Sequence, residues 1–387
     1  MTDYIMITDD ATLREHCARW QQELFIAVDT EFVRRRTYYP ELGLLQVGDG
    51  TAQYLIDPLE INDLSAILHP LLTDPNVIKV FHSGEEDLEI FSLLLREPLQ
   101  GGFDSQLAVG FLGGRGTQSY AGLVADELGI DVPKDQTQSN WLARPLTDAQ
   151  CAYAANDVNY LYRIYPALQE RLDKLERFDW VREDVDRLAT KLARRDALDH
   201  YQNLRQAWQL KGNKLWLIQQ LAARREERCQ ELNLNRKALI SDNDLVTLAL
   251  KRPTEVARVA ELTEIKPSVL RKESDWIFAL IKASHNVAAD QFPAPIQGPL
   301  RIQYSPAFQS ARELLTGIAE EAGLPREYLY RKKDLETVVV EAVERGVVTV
   351  PESWQGWRWA LYGDALTERL LSRFGPEATM TEEVPHD

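Results

Sequence analysis

Residues 25–33 read Phe-Ile-Ala-Val-Asp-Thr-Glu-Phe-Val. Aromatic and β-branched residues dominate this stretch, which predicts a β-strand over Phe25–Val33. Side chains two apart on a strand share a face, so Asp29 and Glu31 project together. Two carboxylates on a strand otherwise suited to burial need a counter-charge. A divalent cation supplies one, because carboxylate oxygens are the hard ligands that Mg²⁺ and Mn²⁺ take. The same spacing also arises where a strand ends near Asp29 and both acids lie in solvent.

Working outward, Leu44–Val47 and Tyr54–Ile56 read as neighbouring strands bounded by Gly, Asp or Pro, and Val77–Phe81 as a short buried one. Helical patterns follow at Glu86–Leu95, Ser119–Leu128 and Thr147–Leu172. Early strands followed by helix–strand alternation predict an α/β domain, a mixed sheet flanked by helices, over residues 1–172. From about Asp173 the chain reads as helical. A connector is expected over 173–199, a helical module over 200–285, a Pro-rich linker over 286–299, a second helical module over 300–375 and an acidic tail over 376–387. Ser241 to Asp244, ahead of Leu245, is a dense helix N-cap signal.

A length of 387 residues suits two or three domains, and 44% hydrophobic residues suffice for real cores. No apolar run reaches the roughly 20 residues of a membrane span, and the acidic start does not resemble a secretory signal. Three scattered cysteines, Cys17, Cys151 and Cys229, read as reduced thiols of a cytoplasmic protein, with neither a zinc site nor a disulfide framework. A net charge of −16, taken alone, argues against a nucleic-acid binder. The charge is unevenly spread, however: Asp186–Lys237 holds 12 Lys/Arg against 6 Asp/Glu. Such a run is either an electrostatic guide for a polyanion or simply a solvated face.

Two more acids stand in suggestive places. In Val80-Phe81-His82-Ser83-Gly84-Glu85-Glu86-Asp87 a strand gives way to a Ser/Gly loop and then a helix, which puts Asp87 in a first helical turn at the sheet edge. Acids are common there because they complement the helix dipole. In Tyr153-Ala154-Ala155-Asn156-Asp157, Tyr153 and Asp157 share a helix face at i and i+4, and the alanines allow close packing. A core tyrosine beside an exposed aspartate would read the same way.

A DxE strand, an acid after a strand–loop–helix and a YxxxD helix, in that order within the first domain, resemble the DEDD-type 3′→5′ exonucleases of the Tyr subclass. The flanking segments VDTEFVRRRTYYPELGLLQV, FHSGEEDLEIF, GGFDSQLAVGFLG and SNWLARPLTDAQCAYAANDVNYL resemble the ribonuclease D family. Residues 200–285 are similar to the HRDC module, and 300–375 to a second, divergent one. The resemblance implies a ribonuclease H-like sheet in a hydrolase acting on RNA with a free 3′ end, such as tRNA precursors and other structured RNAs. It implies two divalent ions, Mg²⁺ or Mn²⁺. Asp29 would bridge both, Glu31 and Asp157 would complete one site, Asp87 would serve the other, and Tyr153 would orient the attacking water. No obligate protein partner is evident, and none of the readings calls for a membrane.

Phe32, Gln46, His82, Trp141 and Arg144 are candidates for contacts to the terminal nucleotides, since an aromatic face stacks a base and an arginine pairs a phosphate. Trp141 also reads as core. The carboxylates do not distinguish sugars, so a sugar-blind or DNA exonuclease stands as an alternative. A non-catalytic RNA-binding scaffold is another, disfavoured by the intact set of five residues.

Overall fold

The structure, a computed structural model, describes residues 3–114, 117–132, 139–194 and 196–376. The expected acidic tail lies outside these from Glu377 onward. Along the chain run β1 (Tyr4–Ile7), α1 (Asp10–Trp20), β2 (Phe25–Val33), β3 (Glu41–Gly48), β4 (Gln53–Ile56), α2 (Leu64–Leu72), β5 (Ile78–Phe81), α3 (Glu85–Leu95), β6 (Gly102–Asp104) and α4 (Ser105–Phe111). Next come α5 (Tyr120–Leu128), α6 (Asp148–Lys174), α7 (Phe178–Ala193), α8 (Asn213–Leu232), α9 (Arg236–Leu239), α10 (Asp242–Lys251), α11 (Val256–Leu262) and α12 (Pro267–Ala283). The last three are α13 (Ser305–Glu321), α14 (Lys332–Arg345) and α15 (Trp357–Phe374).

The six strands form one mixed sheet in the order β1-β4-β3-β2-β5-β6, which places β2 in its interior. β2 pairs parallel with β5, with Phe25 opposite Ile78 and Ala27 opposite Val80, while β3 and β4 are antiparallel. Alternation along β2 separates two cores. Ile26 and Val28 pack with Leu88 and Phe91 of α3, and Ala27 packs with Val158 and Leu161 of α6. The expected strands are present, with two more, β1 and β6, at the sheet edges. These two are only 4 and 3 residues long, too short to present a period.

Helix α6 starts at a capping box, in which Thr147 accepts from Gln150 N–H and the Gln150 side chain reaches back to the Thr147 amide. It lies directly against β3, because a Cβ at Gly48 would come within 2.8 Å of the Val158 carbonyl. Only glycine allows that approach.

The chain divides into two compact units. One gathers Met1–Glu31, Leu42–Ala193 and everything from Leu300 on; the other joins Phe32–Glu41 to Arg194–Pro299. The sequence suggests an interruption at 286–299, yet the helices beyond it share a core with the sheet domain. Trp357 stacks on Trp180 at 4.7 Å between ring centres and meets Phe111 edge-on at 5.2 Å. Asp184 accepts two hydrogen bonds from Arg358 at 2.5 and 2.7 Å. Tyr328 packs on Gly110, where a Cβ would collide with its hydroxyl.

In the second unit, Tyr38 joins a core built on α8. Its hydroxyl donates to the buried Glu226 at 2.9 Å, and its amide donates to Asn233 Oδ1 at 3.1 Å.

Candidate active site

On β2, Asp29 and Glu31 continue the face of Ala27 toward α6, the helix that carries Asp157. One carboxylate oxygen from each of the three lies within 4.8 Å of the other two. Asp157 is buried, and its Oδ1 has no hydrogen-bond partner. An orphaned anionic oxygen among other carboxylates is unfavourable unless a cation completes the set.

Titration behaviour follows first from burial, with the crowding adding to it at Asp29 and Glu31. Burial pushes the Glu31 carboxyl up to about 9, with Asp157 and Asp87 adding repulsion. Asp29 is driven well above the carboxylate range by burial and then by Asp87, Asp157 and Glu31. Burial raises Asp157 to about 7, partly offset by a hydrogen bond from Tyr153. Burial also raises the Tyr153 phenol above its ordinary value, and the Asp157 charge adds to the rise, so the hydroxyl keeps its proton and donates to Asp157.

Asp87 arrives from the other side of β2. Thr30, between the two strand acids, faces α3, and its hydroxyl donates to Asp87 Oδ1. Burial raises Asp87 to about 7, and this hydrogen bond opposes the rise. The loop that delivers α3 is tight: Ser83 has φ +58°, and a Cβ at Gly84 would sit 2.7 Å from that of Phe81. Asp104, at the end of β6, accepts from the amides of Ser83 and Gly84 at 3.1 and 2.9 Å and also caps α4.

Tyr120 donates its hydroxyl to the backbone carbonyl of Asp157 and stands edge-on to His82 at 5.4 Å. Thr30, Asp104 and Tyr120 escape a reading of the sequence. Only Asp104 carries a local signal, an Asp before a helical Ser.

The remaining candidates separate. His82 shares a hydrogen bond at 3.0 Å with Ser105 Oγ through Nδ1, and its Nε2 is buried without a partner. Burial lowers its pKa. Gln46 is fully buried on β3 with neither amide atom partnered. Phe32 is half-buried and belongs to the second unit.

Two expectations give way. Trp141 is a core residue at 1% exposure, packed with Leu44, Leu55 and Ala154, so no ring face is open to stack a base. Arg144 has all five N–H donors engaged. Its Nε and Nη2 bind Asp57 at 2.5 and 2.6 Å, and the others reach the carbonyls of Gly43, Trp141 and Ala143. None is left for a phosphate.

The arginine-rich stretch is likewise less free than its count implies. Arg187, Arg224, Arg225, Arg228 and Arg236 all pair with acids. Lys191, Arg205, Lys211 and Lys237 are exposed.

The interior strand and α6 of this mixed sheet draw Asp29, Glu31 and Asp157 together, and a family model described as a 3′-5′ exonuclease matches residues 4–173. The sequence is 37% identical to ribonuclease D of Pseudomonas paraeruginosa over 370 residues, covering 95% of this chain and 97% of that protein. It is 32% identical to ribonuclease D of Escherichia coli over 374 residues, covering 95% and 98%. The crystal structure of E. coli RNase D, described as an exoribonuclease involved in structured RNA processing, superposes with a TM-score of 0.88 at 30% identity, covering 97% of this chain and 100% of that one. The chain belongs to the ribonuclease D family and is a 3′→5′ exoribonuclease. The acidic cluster is consistent with divalent metal use. Among the described residues, no helix is long and apolar enough to cross a membrane.

Proposed function

We propose that Asp29, Glu31, Asp87, Asp157 and Tyr153 remove nucleotides hydrolytically from RNA 3′ ends with two divalent ions, Mg²⁺ or Mn²⁺. The observation that carries this reading is the trio Asp29, Glu31 and Asp157, drawn within 4.8 Å around an unpartnered Asp157 oxygen. Asp29, Glu31 and Asp157 would hold one ion, with Asp29 and Asp87 holding the other. When bound, such ions relieve phosphate charge and lower the pKa of water. Tyr153, protonated and donating to Asp157, would orient the attacking water by accepting a hydrogen bond from it. Gln46 and His82 keep buried polar atoms without partners, which supports their contacting the terminal nucleotide.

Structured RNA, tRNA precursors included, is the proposed substrate class, on the likeness to E. coli RNase D. Residues 200–285 are the proposed HRDC module, with Arg205, Lys211 and Lys237 contributing salt-dependent affinity for the RNA body. Three buried free cysteines support a cytoplasmic location.

The test is a gel time course on 5′-labelled RNA with a short 3′ overhang, beside matched DNA, with Mg²⁺, Mn²⁺ or EDTA. A metal-dependent ladder shortening from the 3′ end of RNA alone is expected. Equal shortening of DNA would make the enzyme sugar-blind. Binding without cleavage in either metal would overturn the reading.

A further inference from the structure

The three residues at the centre of β2 face both ways. Asp29 and Glu31 look toward α6, while Thr30 is 6% exposed on the α3 side, where its hydroxyl hydrogen-bonds Asp87, itself 7% exposed. A buried threonine in an interior strand needs only its β-branched shape to pack. Valine would supply that shape without bringing a hydroxyl into the core. Here the hydroxyl has a definite partner, a carboxylate borne by another element. That carboxylate reaches the site through a turn with Ser83 in the left-handed region, tied down by Asp104. Asp104 fixes the backbone of that turn, whereas Thr30 is the contact that fixes the Asp87 carboxylate itself. One tripeptide thus supplies two carboxylates and orients a third.

We propose that Thr30 is a positioning residue for the hydrolysis: by donating to Asp87 Oδ1 it sets the rotation of that carboxylate, and so its capacity to hold a divalent cation together with Asp29. The inference rests on the proposed reading that these carboxylates bind divalent ions. Groups that orient a metal-binding carboxylate typically change metal affinity or activity by roughly 10- to 100-fold when removed.

The test uses the full chain and the variants Thr30→Val, Thr30→Ser, Asp87→Asn, the double variant Thr30→Val/Asp87→Asn, and Asp29→Asn. Mn²⁺ binding is followed by calorimetry and electron paramagnetic resonance without RNA, and the Mg²⁺ midpoint of single-turnover cleavage is measured in parallel. Thr30→Val is expected to weaken the weaker Mn²⁺ event about tenfold or more and to raise the Mg²⁺ midpoint similarly. Its RNA affinity in EDTA should match wild type, and its metal-free melting temperature should fall only by the few degrees that one lost buried hydrogen bond costs. Thr30→Ser should behave as wild type. In the Asp87→Asn background, Thr30→Val should change Mn²⁺ binding less than about twofold, because its target is already altered.

Wild-type Mn²⁺ binding by Thr30→Val, equal losses for the serine and valine variants, or an undiminished valine effect in the Asp87→Asn background would each overturn the inference. Should Thr30→Val fail to fold, wild-type behaviour of Thr30→Ser upholds the hydroxyl's role and a loss overturns it. Undiminished Mn²⁺ binding by Asp29→Asn would sink the underlying metal reading. Loss there, with no effect at Thr30, would sink only this inference.

Discussion

The phenolic hydroxyl of Tyr120 hydrogen-bonds the backbone carbonyl of Asp157, so α5 is fastened to the turn of α6 that presents the third carboxylate of the cluster. Tyr120 is held protonated, because burial and the neighbouring Asp157 and Asp29 charges raise its pKa. Tyr120→Phe keeps the ring and deletes the tie. A single-turnover rate reduced roughly fivefold is expected, with stability lowered by about 1 kcal/mol, the usual worth of one hydrogen bond. An unchanged rate would leave Tyr120 with packing alone.

The arrangement of carboxylates makes two further substitutions informative. Asp29→Ala removes an acid that feels the charges of Asp87, Asp157 and Glu31 alike and is expected to lower turnover at least roughly a thousandfold while RNA affinity in EDTA persists. Tyr153→Phe removes a hydrogen-bond donor and leaves the carboxylates in place, so a smaller loss, about a hundredfold in single-turnover rate, is expected. Comparable turnover of Asp29→Ala and wild type at saturating Mg²⁺ would remove Asp29 from the mechanism.

Burial of these carboxylates also sets a pH dependence of stability. The folded pKa values are raised, to about 7 for Asp87 and Asp157 and about 9 for Glu31, whereas unfolded carboxyls titrate near roughly 4. Across that window the folded state binds more protons than the unfolded one, so stability falls as pH rises. The contribution is whole below the unfolded value and gone above the folded ones. The metal-free melting temperature should therefore drop several degrees between about pH 5 and about pH 9. Added Mn²⁺ should recover more of it at the higher pH, because deprotonated carboxylates bind the ion. Scanning calorimetry with and without Mn²⁺ measures both slopes, and a melting temperature independent of pH would contradict the raised carboxyl pKa values.

Much of this site is legible along the chain because strand and helix periods are local. Asp29 and Glu31 share a face by alternation, and Tyr153 and Asp157 by the helical repeat. What is hidden depends on which elements cross. Thr30 finds Asp87 because α3 packs on the far face of β2, and Tyr120 finds Asp157 because α5 leans on α6. Trp141 and Arg144 carry the residue types of a nucleotide pocket, yet their surroundings, Leu44 and Asp57, lie about 90 residues away in sequence and assign them to the core and to a fastening. The Pro-rich break at 286–299 is visible in composition. That the helices beyond it share a core with the sheet domain is not, because α15 shows its aromatic face only against α4 and α7.

Arg144 gives a test of fastening against substrate binding. Its guanidinium covers the largely buried Asp57 and three carbonyls. Arg144→Ala leaves that carboxylate without its partner, and a destabilisation of about 2–4 kcal/mol in urea unfolding is expected, since breaking a largely buried pair strands a charge. Below the melting transition the KM for RNA should change little. A raised KM at unchanged stability would restore Arg144 to the substrate path.

The final prediction concerns the chain beyond Leu300. Trp357 is 5% exposed, stacked on Trp180, edge-on to Phe111, covered by Arg358 at 4.3 Å and hydrogen-bonded through Nε1 to Asp184 at 3.2 Å. An independent module would leave the sheet domain's unfolding untouched when removed. A shared core requires the opposite, because deletion from Leu300 onward would uncover Phe111 and Trp180 and take Arg358 and the Trp357 indole from Asp184, leaving it Arg187. Trp357→Ala should cost roughly 3–5 kcal/mol in the unfolding of the sheet domain, the range for a buried large aromatic. The deletion should give a protein that aggregates or melts many degrees lower. The measurement is calorimetric unfolding of the deletion, Trp357→Ala and wild type side by side. An unaltered sheet-domain transition in the deletion would show that α13 to α15 fold apart from it.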